Sequence, residues 1–281
     1  MSSIVKVACI QNCATPEVEE NIATCLDLTR QAAAAGAKLV ALPEYFSGLR
    51  TEGVRIIPVA FRESEHPVIP AFARAARELG VTILLGSLGI EASDGRILNR
   101  SYLLDRQGRI TARYDKIHLF DVELGEGKAV QESATIAPGS EAVIAPAEGA
   151  MVGLSICYDL RFAQLYRALA QAGAEVLAVP AAFTKLTGQA HWHVLNRARA
   201  IENGAYVVAP CQFGTLSGGA ECFGHSLIVD PWGRVLADGG EEECIVTAAI
   251  DLAEVAAARR RIPSLQHDRP FRLAAALEAA E

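Results

Sequence analysis

The feature that most constrains the fold is a segment that occurs twice, once in each half of the chain. AGAKLVALPE at 35–44 and AGAEVLAVPA at 172–181 are identical at five of ten positions and exchange Leu and Val at three more. In each copy a short apolar run, typical of a buried strand, follows a helical segment and ends at a proline. A repeated strand–helix–strand unit predicts largely parallel strand pairing, with helices on the outer faces. We therefore expect an α/β fold in which two related sheets stack face to face, giving a four-layer α-β-β-α sandwich with the helices outside.

Apolar periodicity, glycines and prolines predict the order of elements around these two units. In the first half we expect strands at 4–10, 39–42 and 81–86, helices from Thr15-Pro16 to Gly36 and over 69–79, and a hairpin turn at 105–108. In the second half we expect strands at 151–156, 176–179 and 206–209, helices over 161–172 and 191–203, and a hairpin turn at 230–233. No linker or low-complexity stretch interrupts the series. One domain over 1–281 is therefore predicted, with the segment 263–281 suited to a subunit contact.

Composition excludes several classes of function. The 281 residues carry a net charge of −7 and no basic cluster beyond Arg259–Arg261, which argues against a nucleic-acid partner. No apolar run approaches the roughly 18 residues of a membrane span, and the N-terminus lacks a signal-peptide pattern, so we expect no membrane association. The seven cysteines form no C-x-x-C pair, so neither a disulfide framework nor a zinc site fits. These features favour a cytoplasmic protein that acts on a small molecule.

Three residues of complementary chemistry stand near the ends of predicted strands. Glu44 and Cys157 each follow an apolar strand, and Lys116 follows the strand that leaves the first hairpin turn. Loops at strand ends converge on one edge of such a sheet. There a carboxylate can take the proton of a thiol, and an ammonium can stabilise the charge on an attacked carbonyl. The strand-to-helix position of Cys157 favours its thiolate. For each residue alone, the alternative is a structural role as core, cap or solvated side chain.

Three segments around these residues resemble the signature motifs of the nitrilase (carbon–nitrogen hydrolase) superfamily. They are LPEYF at 42–46, YDKIHLFD at 114–121 and ICYDLRF at 156–162. The resemblance continues over nearly the whole chain and favours the branch that contains ω-amidase and deaminated-glutathione amidase. It implies an α-β-β-α sandwich that forms a homodimer or a higher homo-oligomer. It also implies a Glu-Lys-Cys triad at Glu44, Lys116 and Cys157, and a reaction that needs no metal or organic cofactor.

The resemblance further implies a reaction and a set of supporting residues. The chain would hydrolyse a linear, carboxylate-bearing amide to an acid and ammonia through a thioester, with deaminated glutathione or a related α-keto-acid amide as substrate. Glu132 corresponds to a second glutamate of the family, which would position substrate or water. The backbone N–H of Tyr158 would hold the oxyanion. Arg161, Thr184 and Lys185 are the candidates for binding the substrate carboxylate.

Several alternatives remain open at this point. The substrate could instead be α-ketoglutaramate, as for an ω-amidase, or a carbamoyl compound, an aliphatic amide or a nitrile. Tyr158-Asp159 resembles the amidase branches, whereas nitrilases usually carry Trp-Glu there. Glu132 and Arg161 could each serve only in a salt bridge. A Cys–His hydrolase is disfavoured because no Asn or Asp partner is specified by spacing. A catalytically silent binding protein of the same fold is disfavoured by the intact triad.

Overall fold

A computed structural model describes residues 4–53, 55–123, 125 and 129–274. Along the chain the strands are β1 (Ile4–Gln11), β2 (Leu39–Ala41), β3 (Leu49–Glu52), β4 (Arg55–Pro58), β5 (Ala60–Phe61), β6 (Thr82–Glu91), β7 (Ile97–Leu104), β8 (Ile110–Asp115), β9 (Asp121–Glu123), β10 (Ala129–Gln131), β11 (Ile136–Ala137), β12 (Ile144–Ala147), β13 (Ala150–Leu154), β14 (Val176–Ala178), β15 (Tyr206–Ala209), β16 (Phe213–Thr215), β17 (Glu221–Phe223), β18 (Leu227–Val229), β19 (Val235–Asp238) and β20 (Cys244–Asp251). The α-helices are α1 (Val18–Ala34), α2 (Val68–Leu79), α3 (Ala163–Gln171), α4 (Lys185–Asn203) and α5 (Leu252–Arg261).

Two mixed sheets with the same internal pattern carry the fold. The first has the order β11-β7-β6-β2-β1-β20, and the second has the order β12-β13-β14-β15-β18-β19. In each, three central strands are parallel, β1, β2 and β6 in one and β13, β14 and β15 in the other. Antiparallel strands flank both centres. The prediction of largely parallel pairing is wrong for the flanks, because most flanking strands are joined by short turns that reverse the chain.

The two repeated segments form the middle strand of each parallel centre. β2 lies between β1 and β6, and β14 lies between β13 and β15. One apolar core joins the sheets, since Val7 and Cys9 of β1 belong to the same buried cluster as Val152 of β13 and Leu177 of β14. Helices α1 and α2 pack on the outside of the first sheet, and α3 and α4 pack on the outside of the second. The predicted four-layer α-β-β-α sandwich is confirmed.

Two helix boundaries differ from the sequence expectation. Helix α1 begins at Val18 rather than at 15, because the Thr15 hydroxyl accepts the Glu17 N–H in a turn before the helix. Helix α4 begins at Lys185 rather than at 191. Gly188 lies in the first turns of α4 against Phe223, where a Cβ would come within 2.3 Å of the ring. The glycine there permits close packing of the helix.

Helix α3 is also shorter than predicted. The segment Cys157–Arg161 forms a 3-10 turn, and α3 begins only at Ala163. None of the helices in the described ranges is long and apolar enough to cross a membrane. The predicted subunit contact at 263–281 stays a prediction, and its residues 275–281 lie outside the described chain.

Gly86 places the first sheet against the segment that leads to the candidate site. It lies where the β6–β7 register shifts, between Leu85 and Leu88. A Cβ on Gly86 would lie 1.8 Å from the carbonyl oxygen of Leu42 and 2.4 Å from that of Pro43. Only glycine, which has no Cβ, therefore lets β6 approach the backbone that follows β2 this closely.

We expect Gly86→Ala to lower the free energy of unfolding by about 1–3 kcal/mol or more, because backbone atoms must move to admit the methyl group. Thermal unfolding measures the loss. Gly153→Ala on β13 is the matched control, since the atoms nearest its Cβ belong to the side chains of Ala174 and Leu169, at 3.1 and 3.2 Å. Equal losses for the two variants would contradict this account of Gly86.

Candidate active site

Glu44 lies just after β2, at the end of a central parallel strand, and its side chain is buried. Its Oε1 accepts hydrogen bonds from Asn99 Nδ2 at 2.8 Å and from Lys116 Nζ at 3.0 Å. Its Oε2 accepts the Ala182 N–H at 2.8 Å. A carboxylate offers about four acceptor positions. The thiol of Cys157 lies beside the same carboxylate, whose charge raises the pKa of the thiol. Glu44 is therefore fixed on three sides and faces the thiol on the fourth.

Lys116 follows β8 and is only 2% exposed. Besides Glu44, it donates to Glu132, with Nζ 3.1 Å from Oε1 and 2.9 Å from Oε2. The Oε2 atom of Glu132 also accepts the Phe120 N–H at 2.6 Å. Burial alone would lower the pKa of Lys116, but the Glu132 and Glu44 carboxylates raise that pKa well above its usual range. Lys116 is thus an ammonium between two carboxylates, and burial raises the pKa of Glu132.

Cys157 begins the 3-10 turn after β13 and has a φ of 49°, which is uncommon for a residue other than glycine. Its N–H donates to the Pro180 carbonyl at 2.9 Å. Burial first, and then the charge of Glu44, raise the pKa of the thiol well above its ordinary value of 9.0. The expectation that the strand-to-helix position favours a resting thiolate is therefore wrong. Burial outweighs the field of a single 3-10 turn, and the thiol keeps its proton beside Glu44.

Asp159 holds this turn in place. Its buried carboxylate accepts the Tyr114 hydroxyl at 2.6 Å and the Ile156 N–H at 2.9 Å through Oδ2. Its Oδ1 accepts the His118 N–H at 3.0 Å and lies 2.7 Å from Nδ1 of the same histidine. These bonds tie the turn that carries the thiol to the segment that carries the ammonium.

The three groups meet at the floor of a small pocket, here called the inner pocket. Its lining consists of Glu44, Ile56, Lys116, Phe120, Cys157, Tyr158, Ala182, Phe183, Thr184 and Thr187. A wider cavity of about 290 Å³, here called the outer chamber, shares Ile56, Phe120, Ala182 and Thr184 with it. Its further lining includes Lys185, Glu221 and Cys222. The inner pocket and the outer chamber therefore adjoin at these four shared residues.

The guanidinium of Arg161 packs against two aromatic side chains that line the inner pocket, Tyr158 and Phe183. Its guanidinium carbon is 5.6 Å from the ring centroid of Tyr158 and 5.3 Å from that of Phe183. Its Nη1 is 3.2 Å from Nδ1 of His191. In the described ranges no carboxylate lies within salt-bridge distance of Arg161. The guanidinium is supported by aromatic rings, and its charge has no anionic partner there.

Thr184 and Lys185 do not lie in a loop, as the sequence suggested, because α4 starts there. Thr184 is the residue before the helix, and its hydroxyl bonds that of Thr187 at 2.7 Å. Lys185 lies 3.2 Å from Glu221 and 3.8 Å from Glu241. Thr184 lines both cavities and Lys185 the outer chamber alone. Lys185 has two acidic partners, whereas Arg161 has none among the residues that the structure describes.

Sequence and structure comparisons agree with this geometry. The family described as carbon-nitrogen hydrolase matches residues 6–260. The chain belongs to the carbon-nitrogen hydrolase family. It is 39% identical over 270 residues to the deaminated glutathione amidase of Homo sapiens, covering 94% of this chain and 82% of that protein. It is 40% identical over 268 residues to the deaminated glutathione amidase of Synechocystis sp., covering 92% and 96%. The omega-amidase NIT2 of Homo sapiens is 36% identical over 250 residues, covering 89% and 90%.

Solved structures show the same fold as this carbon-nitrogen hydrolase. The C. elegans NitFhit protein superposes with a TM-score of 0.86 at 31% identity. The match covers 95% of this chain, which spans 66% of the NitFhit chain. Saccharomyces cerevisiae Nit3, described as a member of branch 10 of the nitrilase superfamily, superposes with a TM-score of 0.83 at 27% identity, covering 95% and 97%. The predicted family resemblance is confirmed.

The structure of this carbon-nitrogen hydrolase brings the predicted triad and Glu132 together and adds residues that sequence reasoning missed. Asn99 fixes Glu44, and its carbonyl accepts the Lys116 N–H at 3.0 Å. Alternation along β7, ILNRSYLL, could have revealed Asn99 as a polar residue on a buried face. In the sequence Asp159 stands out only as part of the Tyr158-Asp159 pair, and nothing in its spacing indicates a hydrogen bond to His118.

We expect the reaction of Cys157 with methyl methanethiosulfonate to accelerate with pH and to reach no plateau below pH 9.0, because the thiol pKa lies above that ordinary value. Glu44→Gln should shift the profile to lower pH, since it removes a negative charge that disfavours the thiolate. Peptide mass spectrometry measures the rate at Cys157.

Glu221→Gln is the matched control for this measurement. It removes a carboxylate from the outer chamber, which lies outside the inner pocket, and should leave the profile unchanged. Circular dichroism verifies that each variant is folded. A wild-type rate that is already constant across neutral pH would contradict the raised thiol pKa.

Proposed function

We propose that this hydrolase cleaves a linear, carboxylate-bearing amide through a thioester on Cys157, and that its substrate is deaminated glutathione. The observation that carries the proposal is the buried Glu44–Lys116 pair beside the thiol, at the floor of a pocket. A base, a cation and a nucleophile are the groups that acyl transfer to sulfur requires. The names of relatives at 39–40% identity support the choice of substrate.

In the first half of the reaction, Glu44 takes the thiol proton as the Cys157 sulfur attacks the amide carbonyl carbon. The negative charge that forms on the carbonyl oxygen is held by the Lys116 ammonium and the backbone N–H of Tyr158. Removing one such donor from an acyl-transfer enzyme costs about 2.7–4 kcal/mol of transition-state stabilisation. Glu44 then gives the proton to the amide nitrogen, the C–N bond breaks, and the amine leaves.

In the second half, Glu44 takes a proton from a water molecule that attacks the thioester carbon. The C–S bond breaks, the acid leaves, and Glu44 returns the proton to the sulfur. Glu132 positions Lys116 throughout. The Oε2 atom of Glu132 also accepts the Phe120 N–H. The Lys116 ammonium can therefore redirect one N–H from that oxygen to the oxyanion, and Glu132 still keeps a hydrogen-bond donor. We assign Glu132 as a positioning residue.

The leaving group distinguishes the two main substrate candidates. In α-ketoglutaramate the amide is primary and ammonia leaves. In deaminated glutathione the amide nitrogen belongs to the cysteine of the tripeptide, so cysteinylglycine leaves and the expectation of ammonia must be corrected for it. A dipeptide needs space beyond the inner pocket, and the adjoining outer chamber of about 290 Å³ supplies it. The choice of deaminated glutathione therefore rests on the names of the relatives, and this cavity leaves room for its dipeptide.

Arg161 is our candidate for binding the carboxylate of the keto acid. Its guanidinium contacts two walls of the inner pocket, and in the described chain its charge has no carboxylate partner. Lys185 could meet a carboxylate of the leaving group only by giving up Glu221 or Glu241. Thr184 lines both cavities. We therefore assign the stronger carboxylate contact to Arg161.

The proposal includes a cytoplasmic homo-oligomer that works without metal or organic cofactor. All seven cysteines are free thiols, which suits a reducing compartment. Helix α4 exposes Val194 and Ile201 by 64 and 52%. Their spacing places them on one face of the helix. An apolar helix face of this kind supports a contact between protomers.

We expect the wild-type protein to release 2-oxoglutarate from deaminated glutathione faster than from α-ketoglutaramate, and to act weakly on a simple aliphatic amide. Cys157→Ala should lower each rate by at least about 10³-fold, because the nucleophile is lost. Enzymatic assay of 2-oxoglutarate, the keto acid common to the first two substrates, measures the preference. Faster turnover of α-ketoglutaramate would identify an ω-amidase. Full activity of Cys157→Ala would overturn the mechanism.

We expect Arg161→Gln to raise KM for deaminated glutathione by about 10-fold or more, since hydrogen bonds to charged groups contribute about 1.5–3 kcal/mol. The value of kcat should change less, because the guanidinium does not touch the reacting carbon. Steady-state kinetics with a neutral amide provides the comparison, and there KM should stay unchanged. Arg167→Gln, which loses a surface pair with Asp268, is the matched control. An unchanged KM for the charged substrate would remove Arg161 from the site.

A further inference from the structure

A second cluster of chemistry-bearing side chains lies outside both cavities. It consists of His193 on α4, His225 in the turn before β18, and Asp238 at the end of β19. His193 Nε2 lies 2.8 Å from Asp238 Oδ2, and His225 Nδ1 lies 2.8 Å from Asp238 Oδ1. The three candidate ligand atoms all lie within 4.8 Å of one another. The side chains are 35, 22 and 34% exposed, so an ion can reach them from solvent.

We propose that His193, His225 and Asp238 form a binding site for a divalent transition-metal ion, with Zn²⁺ as the ion that this donor set suits. Imidazole nitrogen and carboxylate oxygen bind Zn²⁺ at about 2.0–2.2 Å, and three protein ligands leave a fourth position for water. Each imidazole stays neutral on binding, because its proton moves to the ring nitrogen that faces away from the ion. Mg²⁺ and Ca²⁺ prefer oxygen ligands, so two imidazoles disfavour them.

The surroundings of His225 support a ligand role. Its Nε2 lies 4.0 Å from Glu241 Oε1. With Nδ1 on the ion, Nε2 carries the proton and faces a carboxylate, as the second nitrogen of a metal-bound histidine usually does. The backbone of His225 has a φ of 52°. Its N–H donates to the Gly240 carbonyl at 2.7 Å, and its carbonyl accepts Trp192 Nε1 at 2.7 Å. The residue is therefore held in an uncommon conformation before any ion binds.

The charges around the cluster also favour a cation. Four carboxylates, those of Asp238, Glu241, Glu242 and Glu243, lie within six consecutive residues. In the described ranges no lysine or arginine pairs with Asp238, whose side-chain partners are the two histidines. Lys185 offsets part of the charge through Glu241. A concentration of negative charge beside two imidazoles raises the local concentration of divalent cations.

The alternative is a purely structural clasp in which Asp238 accepts a hydrogen bond from each histidine. The three ligands come from segments that are far apart in the chain, so no local spacing in the sequence indicates the site. The proposed hydrolysis uses no metal, so this inference stands apart from the proposed function. A binding measurement distinguishes it from the clasp, since the clasp alone has no affinity for an ion.

The test is titration of the purified full-length protein with Zn²⁺ by isothermal calorimetry, followed by Co²⁺ as a spectroscopic probe. We expect one equivalent of Zn²⁺ per chain, and a Co²⁺ spectrum without the charge-transfer band of a thiolate ligand. Repeating the titration with Cys157→Ala excludes the inner-pocket thiol as a ligand. His193→Gln and His225→Asn should each weaken binding by at least about tenfold. Asn is chosen at 225 because it accepts positive φ better than most residues.

His267→Gln is the matched control for loss of a surface histidine, and Glu242→Gln is the control for loss of one charge from the acidic turn. Both should keep Zn²⁺ binding nearly intact. Zn²⁺ should also raise Tm for the wild type and both controls, but not for His193→Gln, because only a ligand bound to the folded state stabilises it. No stoichiometric Zn²⁺ binding, or equal binding by His193→Gln and His267→Gln, would overturn the proposal.

Discussion

The buried ammonium of Lys116 is the interaction on which the candidate site depends. Removing such a charge from water costs several kcal/mol, and the cost is met only where opposite charges and hydrogen bonds surround it. Glu44 and Glu132 supply them at 2.9–3.1 Å. Removing one partner of a buried pair typically costs about 3–5 kcal/mol, because it leaves the other charge uncompensated. The need to pair the buried Lys116 charge therefore holds together the three segments that carry Lys116, Glu44 and Glu132.

The stacking of the two sheets completes this arrangement. Glu44 follows β2 of the first sheet, and Cys157 follows β13 of the second. The N–H of Ala182, in the loop after β14, reaches Glu44 across the interface between them. Asp159 adds a second link through His118. Both reactive loops depart from usual backbone geometry, with φ of 52° at Tyr45 and 49° at Cys157, and such strain persists only where surrounding contacts hold it.

Because its pKa is raised, the Cys157 thiol is protonated in the resting protein and loses its proton only during the reaction. A protonated Cys157 is a poor nucleophile toward oxidants and chance electrophiles. The proposed mechanism makes the thiolate only when a carbonyl is in place, since Glu44 takes the proton during attack. The outer chamber and Arg161 have no part in that chemistry. In this mechanism the residues of the inner pocket determine the reaction class, and the residues beyond it determine which substrate is bound.

The sequence by itself determined the layered α/β fold and the family, because the repeat and the three motifs are local patterns that can be read without tertiary contacts. It also predicted a triad of Glu44, Lys116 and Cys157, and the structure places these three side chains around one pocket. The sequence could not determine the antiparallel flanks, the early start of α4 or the raised thiol pKa. Those depend on burial and on neighbours distant in the chain, as Gly188 against Phe223 and Glu44 beside Cys157 illustrate. Asn99, Asp159 and the His193–His225–Asp238 cluster likewise appear only in the tertiary structure. Their partners lie many residues away, and no local spacing records which distant side chains a folded chain brings into contact.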